Sequence, residues 1–325
     1  MYLLLNGAFE KMIKKPKILA VVGATASGKS SLALELAKAF DGEIICCDSM
    51  QIYKQMNIGT AKPTKEEMSY VPHHLFDFVS PSDNFSCADY VALAEKTADE
   101  ILARGKLPVF CGGTGLYLDR LLCGTDFESM EIDEDYRREM NEYAERYGNE
   151  ALHALLCEFD PESAQAIHPN NVKRVIRALE IFKTSGKTKS ELDRESRKTE
   201  GKYDCVQIGL KYNDRENLYE RINLRVDKML ADGLLSETEM LEREGVFEKN
   251  LTAAQAIGYK ELLGYIRGEK SYGEAVEDLK RATRRYAKRQ MTWFSAHGDV
   301  SWIDADEKSF AQILAEAKEI YLNRK

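Results

Sequence analysis

What the chain lacks narrows it first. No window of 20 apolar residues occurs in its 325, and the longest apolar stretch near the start is Tyr2-Leu3-Leu4-Leu5, so no membrane-spanning helix is expected. The start also lacks the order of a secretory signal. No basic segment precedes that stretch, while Glu10, Lys11, Lys14 and Lys15 follow it, and a cytoplasmic location is the expectation. Cysteine is sparse and irregular: seven residues (Cys46, Cys47, Cys87, Cys111, Cys123, Cys157, Cys205), with no C-x-x-C spacing and none after Cys205. That pattern argues against a disulfide framework or a cysteine-based zinc site and leaves buried free thiols. Nor is there an excess of positive charge. The 46 Lys+Arg against 54 Asp+Glu give −8, which excludes a uniformly basic nucleic-acid coat but not local patches.

What is present can bury a sizeable core, since 44% of the residues are hydrophobic, in one large or two ordinary domains. Residues 17–22 read as a short buried strand and 30–40 repeat Leu and Ala at helical spacing. A second strand over 43–47, an amphipathic helix over 89–103 and a third strand over 107–111 follow. Alternating β and α segments imply a parallel sheet with helices on its faces. In 126–145 nine acidic residues stand with two basic ones, and helical patterns over 151–159 and 171–183 follow without a strand, which reads as a helical insertion. The polar stretch 184–202 reads as a linker back to a strand at 206–210, then helices at 217–230, 236–244, 253–265 and 272–294. The expected organisation is an extension over 1–16, an α/β core over 17–125, a helical insertion over 126–200, and a return to the core with C-terminal helices over 201–325.

The octet Gly23-Ala24-Thr25-Ala26-Ser27-Gly28-Lys29-Ser30 fits G-x-x-x-x-G-K-[ST] and stands between a buried strand and a helix, where its mechanism requires it. Glycines let the loop turn so that backbone N–H groups and the helix N-terminus converge on a diphosphate. Lys29 then neutralises its oxygens and Ser30 can hold Mg2+. A bare Gly-rich turn explains the octet less well, because a lysine aimed into an empty helix N-terminus opposes the dipole. The fold class sharpens to a P-loop NTPase-like α/β sheet, but the motif specifies a phosphate-bearing ligand and no reaction.

The second strand ends in Asp48-Ser49-Met50-Gln51, at the carboxyl edge where doubly wound sheets keep their ligands. A carboxylate there serves as metal ligand, as general base, or only as the cap of a turn. The blocks GATASGKS (23–30), CDSMQIYKQMNIGTAKPT (47–64), VPHHLFDF (71–78), CGGTGLYLDRLL (111–122), NNVKRVIRALEI (170–181), LYERINLRVDKML (218–230), QAIGYKEL (255–262) and RRYAKRQMTWF (284–294) together resemble the tRNA dimethylallyltransferases, over about residues 17–304. The resemblance implies transfer of the dimethylallyl group of dimethylallyl diphosphate to N6 of adenosine 37, next to the anticodon, in tRNAs reading codons that begin with U. It implies the tRNA anticodon stem-loop and dimethylallyl diphosphate as partners, Mg2+ as cofactor, no membrane, and a monomer.

On that resemblance Asp48 is the general base for the N6 proton. Thr25, Lys29, Ser30 and the backbone of Gly23 to Ser30 hold the diphosphate. Arg221 and Arg225 stand at i and i+4 on one helical face; the family's LYxRIxxRVD block implies that at least one contacts the diphosphate, and spacing leaves open which. An adenine flipped out of its stack would meet Ser49, Met50 and Gln51, with Gln51 reading its edge by paired donor and acceptor, and in the family the Thr of GGTG, here Thr114, contacts the RNA.

Two basic stretches sit inside the acidic total. In 280–290 six basic residues stand with no acidic one, and Arg281, Arg284, Arg285 and Lys288 form a helical stripe. Lys173, Arg174 and Arg177, followed by Lys183, Lys187 and Lys189, form another against Glu180 alone. Such stripes suit phosphates; the competing reading is a solvated helix face. Trp293 and Phe294 read as core anchors, and His73-His74 as no metal site.

The chain departs from the family at Ala24 (often Pro), Gln55 (often Gly) and Ser295 (usually Arg), and like the shorter bacterial form it has no Cys or His pair near Lys325. Three rival readings stand beside this one, of which a catalytically inert RNA-binding protein is opposed by the presence of Lys29 and Asp48. An adenylate isopentenyltransferase acting on free AMP, ADP or ATP would need neither the insertion nor the basic C-terminal helix. A P-loop metabolite kinase would use Asp48 to activate a hydroxyl.

Overall fold

The computed structural model describes residues 15–123, 133–198, 201–250, 252–296 and 299–324. The expected extension over 1–16 lies outside them but for its last two residues, as does 126–132 of the acidic segment. Two compact units are present, Met1–Leu122 with Lys202–Lys325, and Cys123–Gly201.

The first unit opens with β1 (Lys17–Gly23), buried from Ile18 onward, and α1 (Lys29–Ala39). β2 (Gly42–Cys46), α2 (Lys65–Tyr70), the short β3 (His73–His74), α3 (Cys87–Ala103), β4 (Leu107–Cys111) and α4 (Gly115–Cys123) follow. Capping boxes start α2 (Thr64 with Glu67) and α3 (Ser86 with Asp89), satisfying N–H groups that a helix end leaves open.

The second unit is helical: α5 (Glu134–Tyr147), α6 (Asn149–Phe159), α7 (Pro161–Ala166), α8 (Val172–Ser185) and α9 (Lys189–Lys198), around Leu152, Leu156, Val175 and Leu179. Residues 184–198 are not the linker that the polar composition of 184–202 suggests. α8 runs to Ser185 and stops at left-handed Gly186; Thr188 and Glu191 then exchange bonds of 2.8 and 3.2 Å to start α9, where buried Asp160 accepts the Ser190 N–H at 3.0 Å. The T-x-x-E signature was legible, but the charged composition masked it.

The first unit resumes at β5 (Asp204–Lys211) and continues through α10 (Arg215–Ala231), α11 (Leu234–Arg243), α12 (Val246–Lys249), α13 (Tyr259–Ile266), α14 (Tyr272–Ala296), β6 (Val300–Asp304) and α15 (Phe310–Asn323). The helix expected over 253–265 is broken. A 3-10 turn at Ala253–Gln255 gives way to Gly258 at φ 106° before α13 begins. β6 and α15 were not expected; β6 is an edge strand in which only Ile303 is buried, so it carries no apolar run.

The six strands are all parallel, in the order β3-β2-β4-β1-β5-β6. Leu32, Leu36, Ile313 and Ala317 of α1 and α15 cover one face; Tyr90, Ile101, Leu118 and Leu121 of α3 and α4 cover the other. Burial on both faces explains the near-continuous apolar runs of β1, β4 and β5. Register positions the site. Cys111 of β4 pairs with Val21 of β1 and with Cys46 of β2, so the loops that begin at Gly23, Cys47 and Gly112 leave the carboxyl edge side by side. Among the described residues no helix is long and apolar enough to cross a membrane.

Candidate active site

At the end of β1, Gly23 adopts φ 133° with the Leu210 carbonyl 2.9 Å from where a β-carbon would stand, so glycine alone fits the first turn of the phosphate loop. Lys29 Nζ donates to the Ala24 carbonyl at 3.2 Å. Burial lowers the Lys29 pKa and nearby Arg225 lowers it further, against the opposing pull of Cys111 and Asp48. The Ser27 hydroxyl is buried with no hydrogen-bond partner among the described residues, an orphan that an incoming phosphate oxygen would satisfy. Ala26, Gly28, Lys29, Ser30, Arg221 and Arg225 line a cavity of about 370 Å³. Both arginines of α10 reach it: Arg221 Nε donates to the Ala26 carbonyl at 3.1 Å, and Arg225, more deeply placed, has its pKa lowered by burial and raised by Asp48.

Ser30 is exposed and its hydroxyl meets the buried Cys111 thiol, which burial pushes up to about 11. Among the described residues no group of three or more His, Cys, Asp or Glu could hold a metal ion. One hydroxyl fits a Mg2+ that keeps its waters and is carried by diphosphate oxygens. His74 Nε2 instead meets buried Glu43 at 2.6 Å, and His73 Nδ1 the Val71 carbonyl at 2.8 Å. Cys46, Cys47 and Cys111 are buried free thiols, whereas Cys157 departs from that expectation by being exposed.

Asp48 caps a turn with one of its two oxygens. Oδ1 accepts the Met50 N–H at 2.9 Å, capping a turn, and no described group bonds Oδ2, which lies 3.8 Å from the β-carbon position of Gly113. Thr114 is bound into the same corner: its Oγ1 accepts the Ser49 N–H at 3.0 Å, and its N–H donates to the Cys47 carbonyl at 3.1 Å. Met50 is half-buried against the cluster around Ile52 and Met56. Gln51 departs from its expected part. Its Nε2 donates to the Thr60 and Ala61 carbonyls at 2.9 and 3.1 Å, so the amide donors are used within the protein and are not open to an adenine edge.

Residues without an assigned role from sequence complete the site. Glu237 of α11 accepts the N–H groups of Asn57, Ile58 and Gly59 at 3.0, 3.0 and 3.1 Å and the Tyr259 hydroxyl at 2.6 Å, clamping the loop that Gln51 also holds. Gln290, buried on α14, bonds both Thr25 and Gly113. Tyr286, one turn earlier, contacts Thr114 and Gln290, and burial followed by the charge of Asp48 raises its pKa. A glutamate on a polar helix carries no sequence signal of such a task, and Gln290 stood in the QMTWF block without one. Phe294 is buried, and Trp293 Nε1 donates to Asp119 at 2.8 Å. Gln55 sits at φ 64°, in the left-handed region that favours glycine.

The basic stretches divide differently from their sequence pattern. On α14, Arg281, Arg285, Lys288 and Arg289 are exposed, but Arg281 is paired with Asp278. Arg284 leaves the stripe: its Nη1 donates to Asn223 at 2.7 Å and it lies over the Tyr219 ring. In the second unit, Arg177 is spent on the fully buried Glu180, which Arg137 also binds at 2.9 Å, and Lys183, Lys187 and Lys189 pair with Asp133, Glu195 and Asp193. Lys173 and Arg174 are exposed, with no ion pair to another described residue.

A model of the IPP transferase family matches residues 51–297, and one for isopentenyl transferase matches 16–75. The tRNA dimethylallyltransferases of Acetivibrio thermocellus and Bacillus subtilis are each 51% identical over 290 residues, covering 89% of this chain and 92% and 91% of their own. A solved structure of the full-length tRNA isopentenylpyrophosphate transferase of Bacillus halodurans superposes with a TM-score of 0.71 at 44% identity, covering 95% of this chain and 96% of its own. A eukaryotic dimethylallyltransferase acting on tRNA superposes with a TM-score of 0.78 at 32% identity, covering 95% and 80%. A match of this extent, on a fold whose phosphate loop and Asp48 share one sheet edge, shows that the chain belongs to the IPP transferase family, that of the tRNA dimethylallyltransferases.

Proposed function

We propose that the protein transfers the dimethylallyl group of dimethylallyl diphosphate to N6 of adenosine 37 in tRNAs reading codons that begin with U, releasing diphosphate. One observation carries this reading. Asp48, with an oxygen that no described group bonds, leaves the sheet beside a phosphate loop lined by Lys29, Arg221 and Arg225. Asp48 takes the N6 proton as the N6–C1 bond forms; the C1–O bond breaks and its electron pair leaves with diphosphate. No phosphoryl group moves. Lys29, both arginines and the loop N–H groups other than that of Thr25, which Gln290 accepts, offset the charge growing on the leaving group. Mg2+, with Ser30 as a ligand, supplies further charge stabilisation when bound to the diphosphate. Thr114 and Ser49 border the pocket for the flipped base, and the exposed cations of α14, with Lys173 and Arg174 of the second unit, bear RNA phosphates. A free adenylate acceptor would leave those cations without a role.

The test is transfer of radiolabel from dimethylallyl diphosphate. It enters an anticodon stem-loop with adenosine at position 37, requires Mg2+, and does not enter free AMP. Label in AMP alone, or transfer of the ATP γ-phosphoryl group to a small alcohol, overturns the reading. Asp48→Ala lowers kcat by about 1,000-fold with little change in RNA affinity; a pure affinity loss removes Asp48 as the base.

A further inference from the structure

Gln290 joins two of the three loops that leave the sheet at the site. The residue is 4% exposed; Oε1 accepts the Thr25 N–H at 2.8 Å and Nε2 donates to the Gly113 carbonyl at 3.0 Å. These partners fix the amide's orientation, because the reverse would set N–H against N–H and oxygen against oxygen. The fit is close: a β-carbon on Gly113 would lie 1.9 Å from Nε2. Tyr286 extends the tie to Thr114, and Lys288 and Arg289, adjacent in sequence to Gln290, are exposed. One rigid helix thus holds the phosphate loop and the loop beside Asp48 and presents cations to solvent.

We propose that Gln290 is a positioning residue that sets the separation between the diphosphate held by the phosphate loop and the adenine held near Asp48 and Thr114. The inference rests on the prenyl-transfer reading of this site. An amide suits the task because it accepts and donates at once. A methionine of similar length does neither; a glutamate only accepts until it is protonated, when its hydroxyl donates to the Gly113 carbonyl.

The experiment follows transfer from dimethylallyl diphosphate to an anticodon stem-loop, together with affinity for inorganic diphosphate, in wild type, Gln290→Met and Gln290→Glu. Misplacement of the reacting atoms by about an ångström costs about 100-fold in rate, so Gln290→Met lowers kcat by about that factor. The KM for the stem-loop and the Kd for diphosphate change by less than about threefold, the pattern of an interaction felt in the transition state. Relative to wild type at each pH, Gln290→Glu matches the methionine variant near pH ~8 and regains most of the rate toward pH ~5, because burial beside the Gly113 carbonyl raises the acid above its ordinary value near ~4.3 and leaves it neutral there. A methionine variant with wild-type kcat overturns the inference, as does an equal loss of kcat and of both affinities, which marks general loosening. Absence of acid recovery in the glutamate variant also overturns it. Wild-type protein that transfers no label overturns the prenyl-transfer reading and this inference together; label transferred by wild type and unimpaired in Gln290→Met overturns this inference alone.

Discussion

The Thr114 hydroxyl accepts the Ser49 N–H at 3.0 Å, so the loop after β4 holds the residue next to Asp48 in place. Thr114→Val removes that acceptor while keeping the shape; Thr114→Ser keeps the acceptor and loses a methyl group. One neutral hydrogen bond contributes about 1 kcal/mol, so the valine variant unfolds at a lower urea midpoint and loses about fivefold in kcat, while the serine variant stays near wild type. A loss confined to the serine variant would transfer the role from the hydroxyl to the methyl group.

Glu237 and Ile58 are 179 residues apart in sequence and bonded at 3.0 Å. Without the carboxylate, the N–H groups of Asn57, Ile58 and Gly59 and the Tyr259 hydroxyl lose their shared acceptor. Glu237→Ala therefore costs about 2 kcal/mol, and Glu237→Gln, which retains one acceptor oxygen, costs less. Because Gln51 grips the same loop, at Thr60 and Ala61, the alanine variant raises the KM for the stem-loop and leaves the Kd for diphosphate unchanged. A drop in melting temperature with an unchanged KM confines the clamp to stability.

These two residues show where reading the sequence stops. β1, the phosphate loop and Asp48 were legible because their signals are local: an apolar run, glycines at fixed spacing, an acid at a strand end. Gln290 meets Thr25 across 265 residues, and no periodicity records such a pairing. Charge patterns failed for a related reason. Arg177 and Arg284 look like RNA ligands in one dimension, but Glu180 and Asn223 occupy them in three. β6 escaped notice because an edge strand with a single buried residue leaves no apolar run to read.

Burial holds the Lys29 pKa below its usual value in the ligand-free protein, with Arg225 adding to the shift. Diphosphate binding favours the charged lysine, so affinity falls as pH rises through that lowered value, on the acid side of an ordinary lysine near ~10.4. Binding in that range takes up a proton at Lys29. Calorimetry of inorganic diphosphate at pH ~9.5, in two buffers of different ionisation enthalpy, shows more proton uptake for wild type than for Lys29→Gln. Identical uptake in both proteins would show that Lys29 is already charged in the empty loop.

The exposed face of α14 gives the last prediction, in which four arginine or lysine positions behave unequally. Arg285, Lys288 and Arg289 are exposed, while Arg284 is held by Asn223 at 2.7 Å over the Tyr219 ring. A cation that contacts RNA phosphate releases a counterion on binding, so replacing Arg285, Lys288 or Arg289 by Ala flattens the plot of log affinity against log salt by up to about 1 unit each. Arg284→Ala acts on the fold instead, costing about 1 kcal/mol through the lost bond to α10 and leaving the salt slope unchanged. Filter binding of a labelled stem-loop from low to moderate salt separates the two groups. A flattened slope in Arg284→Ala, with none in the other three, would place the RNA on the side of α14 that packs on α10.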